Sequence, residues 1–387
     1  MNDESAAADE GQTHVLSARG SEQRRRMTLD DFVGSRDNNF NLVRFLAAGA
    51  VLVSHSYALS TGDPAIEPLR SWLGLSLGDM AVDVFFLTSG FLVTGSLLSR
   101  HSVVGFAIAR ALRIYPAMVV SVALTALVIG LWFSTSTFSS FIRSPETWRY
   151  IAKNATLVTG VAYRLPGAFE HTPIRIAVNG SLWSLPYELA MYLLLAAAWL
   201  ALATFRFEPA RRFPGVIASI YLTAACIALL GLHVPRVDPL AWHLMVMFFA
   251  GSCMFLVRRR VPLDARAFAA LLLLLGASSL DKSAFAVVYL LALPYLVLYL
   301  AYVPGGLLRR FNELGDYSYG IYIYAFPVQQ MLASSAPGIQ PLTMLTTSFA
   351  ITAMLAVASW HGIEKRALAL KKVGRGAKSP TGSRSAP

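Results

Sequence analysis

"NLVRFLAAGAVLVSHS", residues 41–56, is apolar enough to sit in lipid, yet it carries Arg44 near its start and His55 near its end. On an α-helix the eleven steps between them turn about 1100°, which is three turns plus about 20°. The two side chains therefore share one face, roughly 16 Å apart along the axis. An ionisable group inside a span is costly and normally faces protein or a water-filled cavity. The ordinary alternatives are an Arg44 that snorkels to lipid phosphates and a His55 satisfied by an interhelical hydrogen bond.

The rest of the chain decides that the setting is a membrane. Of 387 residues, 55% are hydrophobic and 14% charged, and the mean hydropathy is +0.53. A soluble domain carries about a quarter charged residues. Ten apolar runs approach the length of a span: 40–60, 79–98, 115–133, 182–204, 213–232, 239–257, 265–280, 284–303, 317–336 and 341–360. They predict an all-α, polytopic membrane helix bundle of about ten transmembrane helices.

The net charge of +11 would suit a nucleic-acid partner, but the basic residues are distributed as membrane topology requires. With the N-terminus inside, the cytoplasmic segments hold 24 of the 33 Lys and Arg residues, seven of them after residue 360. The outer connections hold eight, five of these in one long loop, and Arg70 is the lone one between the first two spans. This predicts both termini in the cytoplasm, with membrane lipids as surroundings and no nucleic acid. It divides the chain into a disordered cytoplasmic tail (1–37), a membrane domain (38–366, with outer loop 134–181) and a second disordered cytoplasmic tail (367–387). Cys226 and Cys253 lie inside apolar runs, so neither a disulfide framework nor a metal site is expected.

Two further spans carry acids. "GDMAVDVFFLTSGFLVTG" (78–95) places Asp83 near the outer end of the second, with Gly90 two turns on where a missing side chain lets helices approach. "NGSLWSLPYELAMY" (179–192) places Glu188 near the outer end of the fourth. Run in their assigned directions, His55, Asp83 and Glu188 are expected level with one another in the outer third. A histidine beside carboxylates is a candidate acid–base site; helix capping and interhelical hydrogen bonds are the plainer alternatives for the acids. At the cytoplasmic end, Arg110 and Arg113 in "FAIARALRIYPAMVV" (106–120) share a helix face. Arginine pairs bind phosphates bidentately, although positive-inside anchoring explains either one alone. A basic mouth, an arginine part-way up and a histidine beyond it suit an acyl-coenzyme A, whose phosphorylated nucleotide ends in a long arm bearing a thioester.

These motifs resemble the acyltransferase-3 family of membrane enzymes over roughly 38–366. The resemblance rests on Arg44 and His55, "VDVFFLTSGFL" (82–92), the arginine pair, "SLWSLPYE" (181–188), "GDYSYGIYIYAFP" (315–327) and "IEKR" (363–366), in that order. It departs at Ala325, where many members carry a histidine, and at Arg366, where a proline is common.

The resemblance implies an acyl-CoA-dependent O-acyltransferase of a bacterial inner membrane, acting on a hydroxyl of a sugar in a surface polysaccharide, lipid-linked glycan or glycosylated metabolite. The prevalence of acetyl transfer in the family makes acetyl-CoA the expected donor, with no permanently bound cofactor. On this reading His55 is the general base, Glu188 or Asp83 orients it, and Arg44, Arg110 and Arg113 hold the donor's phosphates. Asn179, Ser181, Trp183 and Tyr319 are candidate oxyanion or acceptor contacts. The 134–181 loop, with Trp148, Tyr150, Tyr163 and Phe169, is a candidate carbohydrate platform or a packed flap. "NAT" (154–156) matches a glycosylation tripeptide. The competing class is a proton-coupled exporter, which would also bury His, Asp and Glu.

Overall fold

Proline at the first helical position opens three of the long helices at Pro209, Pro239 and Pro341, where its missing N–H has no intrahelical partner to lose. Asp238, Asp264 and Asp281 each accept a hydrogen bond from the first-turn backbone of the helix they precede. Such caps divide an almost continuously apolar sequence into separate helices.

A computed structural model describes residues 27–376 apart from 36, 101, 176, 206 and 236. Ten long helices follow one another: α1 (Phe40–Thr61), α2 (Leu77–Arg100), α3 (Val103–Leu124, continued by a π turn to Gly130), α4 (Leu185–Thr204), α5 (Pro209–Leu229), α6 (Pro239–Leu256), α7 (Ala265–Ser278), α8 (Lys282–Tyr302), α9 (Ser318–Ser335) and α10 (Pro341–Ser359). There is no strand among the described residues, only two isolated bridges. The chain is an all-α membrane helix bundle.

Eight of the ten helices are long and apolar enough to cross a membrane; α7 and α9 are not among them. At 14 residues α7 is about 21 Å long, short of a hydrocarbon core of about 30 Å. It buries no residue and packs along α8 at the periphery. Helix α9 misses for the opposite reason. Fourteen of its 18 residues are buried, against α1, α10 and the turn before α4, so protein rather than lipid surrounds it and polar groups are tolerated. Gln329 donates to the Leu52 carbonyl and the Ser56 hydroxyl of α1, and Gln330 to the carbonyls of Ile174 and Ala177.

The tightest seam joins α2 to α6. A Cβ on Gly90 would lie 1.8 Å from the Phe248 carbonyl oxygen, and one on Gly251 would lie 2.1 Å from that of Leu87. The backbones touch reciprocally, as the small residue at position 90 predicted.

The expected tails lie mostly outside the described residues, but their inner edges are folded. Thr28–Val33 pack on the bundle, with Leu29 buried and Asp30 paired to Arg258 at 2.5 Å. At the other end Lys365–Gly376 is helical. The folded part thus begins before residue 37, where a single buried Leu gives too short an apolar pattern to read as an element. The loop 134–181 is a packed flap built on helices Phe138–Arg143 and Pro145–Thr156. Its Tyr150 and Asn154 are wholly buried, and Asn154 clasps the backbone of Ala162 through both amide atoms, so the glycosylation tripeptide is not presented.

Candidate active site

Helices α1, α2 and α9, with the turn leading into α4 and the inner part of α3, enclose a run of three adjoining cavities. The first, about 310 Å³, is lined by Arg44, Arg110, Arg113 and Lys371 together with Glu188, Asp316 and Tyr319. The second, about 30 Å³, shares Arg44, Glu188 and Tyr319 with the first and adds Phe85, Ser184 and Tyr322. The third, about 140 Å³, shares Val82 and Tyr322 with the second and is lined by His55, Ser54, Arg70, Ser76, Asp79 and Trp183. Arg44 therefore lines the first two of these adjoining cavities and His55 the third. Neither points into lipid.

At the His55 end the imidazole stands edge-on to Phe326, with ring centroids 5.1 Å apart, and its Nδ1 is buried without a hydrogen-bond partner. No carboxylate orients it. Asp83 gives one oxygen to His243 Nε2 at 2.8 Å and the other to the Tyr289 hydroxyl at 3.0 Å, tying α2 to α6 and α8. Glu188 accepts from the hydroxyls of Ser89 at 2.8 Å and Tyr192 at 2.5 Å, and lines the cavities of Arg44 rather than that of His55. Contrary to expectation, Glu188 thus does not join His55 in one cavity, and Asp83 is turned to α6 and α8. The stretch Gly180–Ser184 is a 3₁₀ turn, which rises about 2.0 Å per residue, so Glu188 lies about 14 Å along the chain direction from the start of its segment. The carboxylate closest to the histidine's cavity by lining is Asp79, whose Oδ2 accepts from the backbone N–H of Ser76.

The candidate oxyanion and acceptor contacts divide. Asn179 is buried, donating to the Ile323 carbonyl and accepting from the Ser181 N–H, so it caps the 3₁₀ turn instead of facing the passage. Ser181 is wholly buried and its hydroxyl has no partner. Tyr319 lines both inner cavities, but its hydroxyl donates to the Ile114 carbonyl at 2.8 Å. Only Trp183 reaches the His55 cavity. The group at the neck is one that the sequence did not single out: Tyr322, three residues after Tyr319, whose hydroxyl shares a 2.7 Å hydrogen bond with Ser184.

At the basic end the two arginines do different things. Arg113 holds Asp316 at 2.5 Å and Glu364 at 3.2 Å and lies 5.5 Å from the Tyr319 ring. A π turn over Trp360–Glu364 carries Glu364 inward, where Ser359 also donates to it. Burial opposes the charge of Asp316, but Arg113, with Arg44 behind it and hydrogen bonds from Ser318, outweighs burial and holds the carboxyl below its usual range. Arg110 stacks on Tyr192 at 5.9 Å and Arg44 on Phe85 at 5.7 Å; neither forms an ion pair among the described residues.

The connection between α1 and α2 contributes Pro64, Arg70 and Ser76 to the His55 cavity. Glu67 pins it, accepting from Ser54 Oγ and the Leu77 N–H, both at 2.5 Å. The signal available in the sequence was Arg70, a basic residue alone in a short outer connection. No residue of 134–181 lines that cavity. No group of three His, Cys, Asp or Glu suited to a metal ion occurs among the described residues.

A membrane bundle that sets a cationic cavity and a half-buried histidine on adjoining interior cavities suits a transferase embedded in the bilayer. Sequence comparison agrees: a profile described as an acyltransferase domain matches residues 37–361, and the chain belongs to the acyltransferase-3 family. It is 31% identical over 353 residues to the "O-acetyl transferase" of Shigella phage Sf6, covering 86% of this chain and 96% of that protein. It is 33% identical over 170 residues to "Nodulation protein 10" of Rhizobium leguminosarum bv. viciae, covering 41% of this chain and 43% of that one. No solved structure matches. The chain is an integral membrane acyltransferase.

Proposed function

We propose that the protein is an O-acetyltransferase that takes its acyl group from cytoplasmic acetyl-CoA and delivers it to a sugar hydroxyl on the far side of a bacterial inner membrane. One observation carries this reading: the cavity of Arg44 and the cavity of His55 both adjoin a small one of about 30 Å³, which shares lining residues with each. Space of that size admits about one or two waters, or a slender chain, but not a folded solute. It suits an arm threaded from the mouth and disfavours export of a glycan. The similarity to an O-acetyl transferase supports the choice of acetyl.

The nucleotide phosphates sit in the mouth, and the thioester arrives at the neck beside Tyr322 and Ser184. His55 accepts the proton of the acceptor hydroxyl as that oxygen attacks the carbonyl carbon. The new C–O bond forms, the C–S bond breaks, and the proton passes to the departing thiolate, so no net proton is consumed. A hydroxyl of the Tyr322–Ser184 pair donates to the developing oxyanion. The acceptor occupies the His55 cavity among Arg70, Asp79 and Trp183, where an aromatic face beside polar groups suits a sugar. Both chain ends in the cytoplasm complete the proposal, on the strength of the Lys and Arg distribution.

The test offers labelled acetyl-CoA to membranes containing the protein and follows label into saccharide. His55→Ala should slow transfer by ~10²–10⁴-fold at unchanged insertion and melting temperature. Undiminished transfer in that variant, or flux of an unmodified solute without transfer, overturns the reading.

A further inference from the structure

The family match stops at residue 361, yet the chain beyond it builds part of the cavity wall. The helix Lys365–Gly376 lies against α3, and its Leu368 and Lys371 line the basic cavity. Four cations converge there: Arg44, Arg110, Arg113 and Lys371. Two carboxylates line the same space, and both are committed, Asp316 to Arg113 and Ser318, Glu188 to Ser89 and Tyr192.

The four cations are not equivalent. Arg113 already has two carboxylate partners, one from each side. Arg44, Arg110 and Lys371 form no ion pair within 4 Å among the described residues, and the Nε atoms of Arg44 and Arg110 are buried without an acceptor. Buried donors without acceptors, on like charges facing one another, are costly until an anion enters. Three cations without a close ion-pair partner thus line one space.

We infer that the C-terminal helix completes a phosphate-binding site in which Arg44, Arg110 and Lys371 contact the anion, while Arg113 is a clamp that joins α3 to α9 and to the segment after α10. The identity of the anion as a coenzyme A rests on the function proposed above; the site itself does not. Lys371 is a phosphate ligand from a segment outside the matched domain. Arg113, although it belongs to the arginine pair, positions the wall and leaves the phosphates to its neighbours.

Binding of coenzyme A, adenosine 3′,5′-bisphosphate and phosphate-free pantetheine to the purified full chain in nanodiscs tests this, alongside melting temperatures. Lys371→Ala should weaken both phosphorylated probes by about 5–20-fold, the scale of one charge-assisted hydrogen bond in a partly exposed setting. It should leave the melting temperature unchanged, and Lys371→Arg should restore binding. Arg113→Ala should lower the melting temperature. Equal binding by wild type and Lys371→Ala overturns the proposal while the donor reading stands. Wild type that binds the bisphosphate but not coenzyme A leaves the site and removes the donor reading. Binding of neither probe overturns both. Wild-type melting in Arg113→Ala, with binding lost as in Lys371→Ala, overturns the clamp.

Discussion

Two tyrosines three residues apart separate structure from chemistry in this site. Tyr319 spends its hydroxyl on the Ile114 carbonyl, whereas Tyr322 keeps its hydroxyl at the neck with Ser184. Tyr322→Phe should therefore lower kcat by about 10²–10³-fold if that hydroxyl meets the oxyanion. Tyr319→Phe should alter stability by about 1 kcal/mol with little change in kcat. Steady-state kinetics of the two variants checks the pair, and equal losses of kcat would assign the hydroxyls wrongly. Asp83 makes a similar contrast with His55. Its carboxylate ties His243 and Tyr289 across three helices, so Asp83→Asn should cost about 1–3 kcal/mol of stability. Activity per folded molecule should persist. Loss of turnover at an unchanged melting temperature would return Asp83 to the chemistry. The pairing of Asp83 was not legible from its own segment, because His243 lies 160 positions away.

Among the elements, α2 carries the cavity lining from Asp79 to Phe86, and α6 packs against it. Their backbones meet at Gly90 and Gly251, and an added methyl at either would overlap a carbonyl oxygen. Gly90→Ala should destabilise the bundle by about 1–3 kcal/mol or more, read as a lower melting temperature in detergent. A wild-type melting temperature would mean that the helices are not in contact there. Gly90 could be picked out from its place on the face of Asp83, but its partner could not, since nothing in either segment specifies which helix comes close. Helix α9 carries the same lesson in reverse. Its Gln329 and Gln330 lower its apolar character, yet it is the most enclosed helix of the bundle.

At the scale of the whole molecule, the small middle cavity exists only because five elements, α1, α2, the 3₁₀ turn, α4 and α9, converge on it; the proposed route for the donor arm runs through it. Filling that neck tests the route as a whole. Ser184→Leu places a larger apolar side chain beside Tyr322 and should abolish acyl transfer while leaving coenzyme A binding in the mouth. Transfer that survives would mean the thioester reaches His55 another way. Binding measured by calorimetry and transfer measured with labelled donor separate the two effects.

The membrane class, the helical architecture and the shared face of Arg44 and His55 follow from local rules, namely run length, charge placement and the 100° turn per residue, and each is satisfied inside one segment. The partners of Asp83, Glu188 and Arg113, the neck at Tyr322 and the closing of the mouth by Lys371 depend on how separate helices are rotated and staggered against one another. Lipid and protein interior are about equally apolar, so hydropathy does not distinguish a face turned to lipid from one turned to a neighbouring helix. Packing, close backbone contact and the pairing of buried polar groups make that choice, and they act only once the helices have assembled.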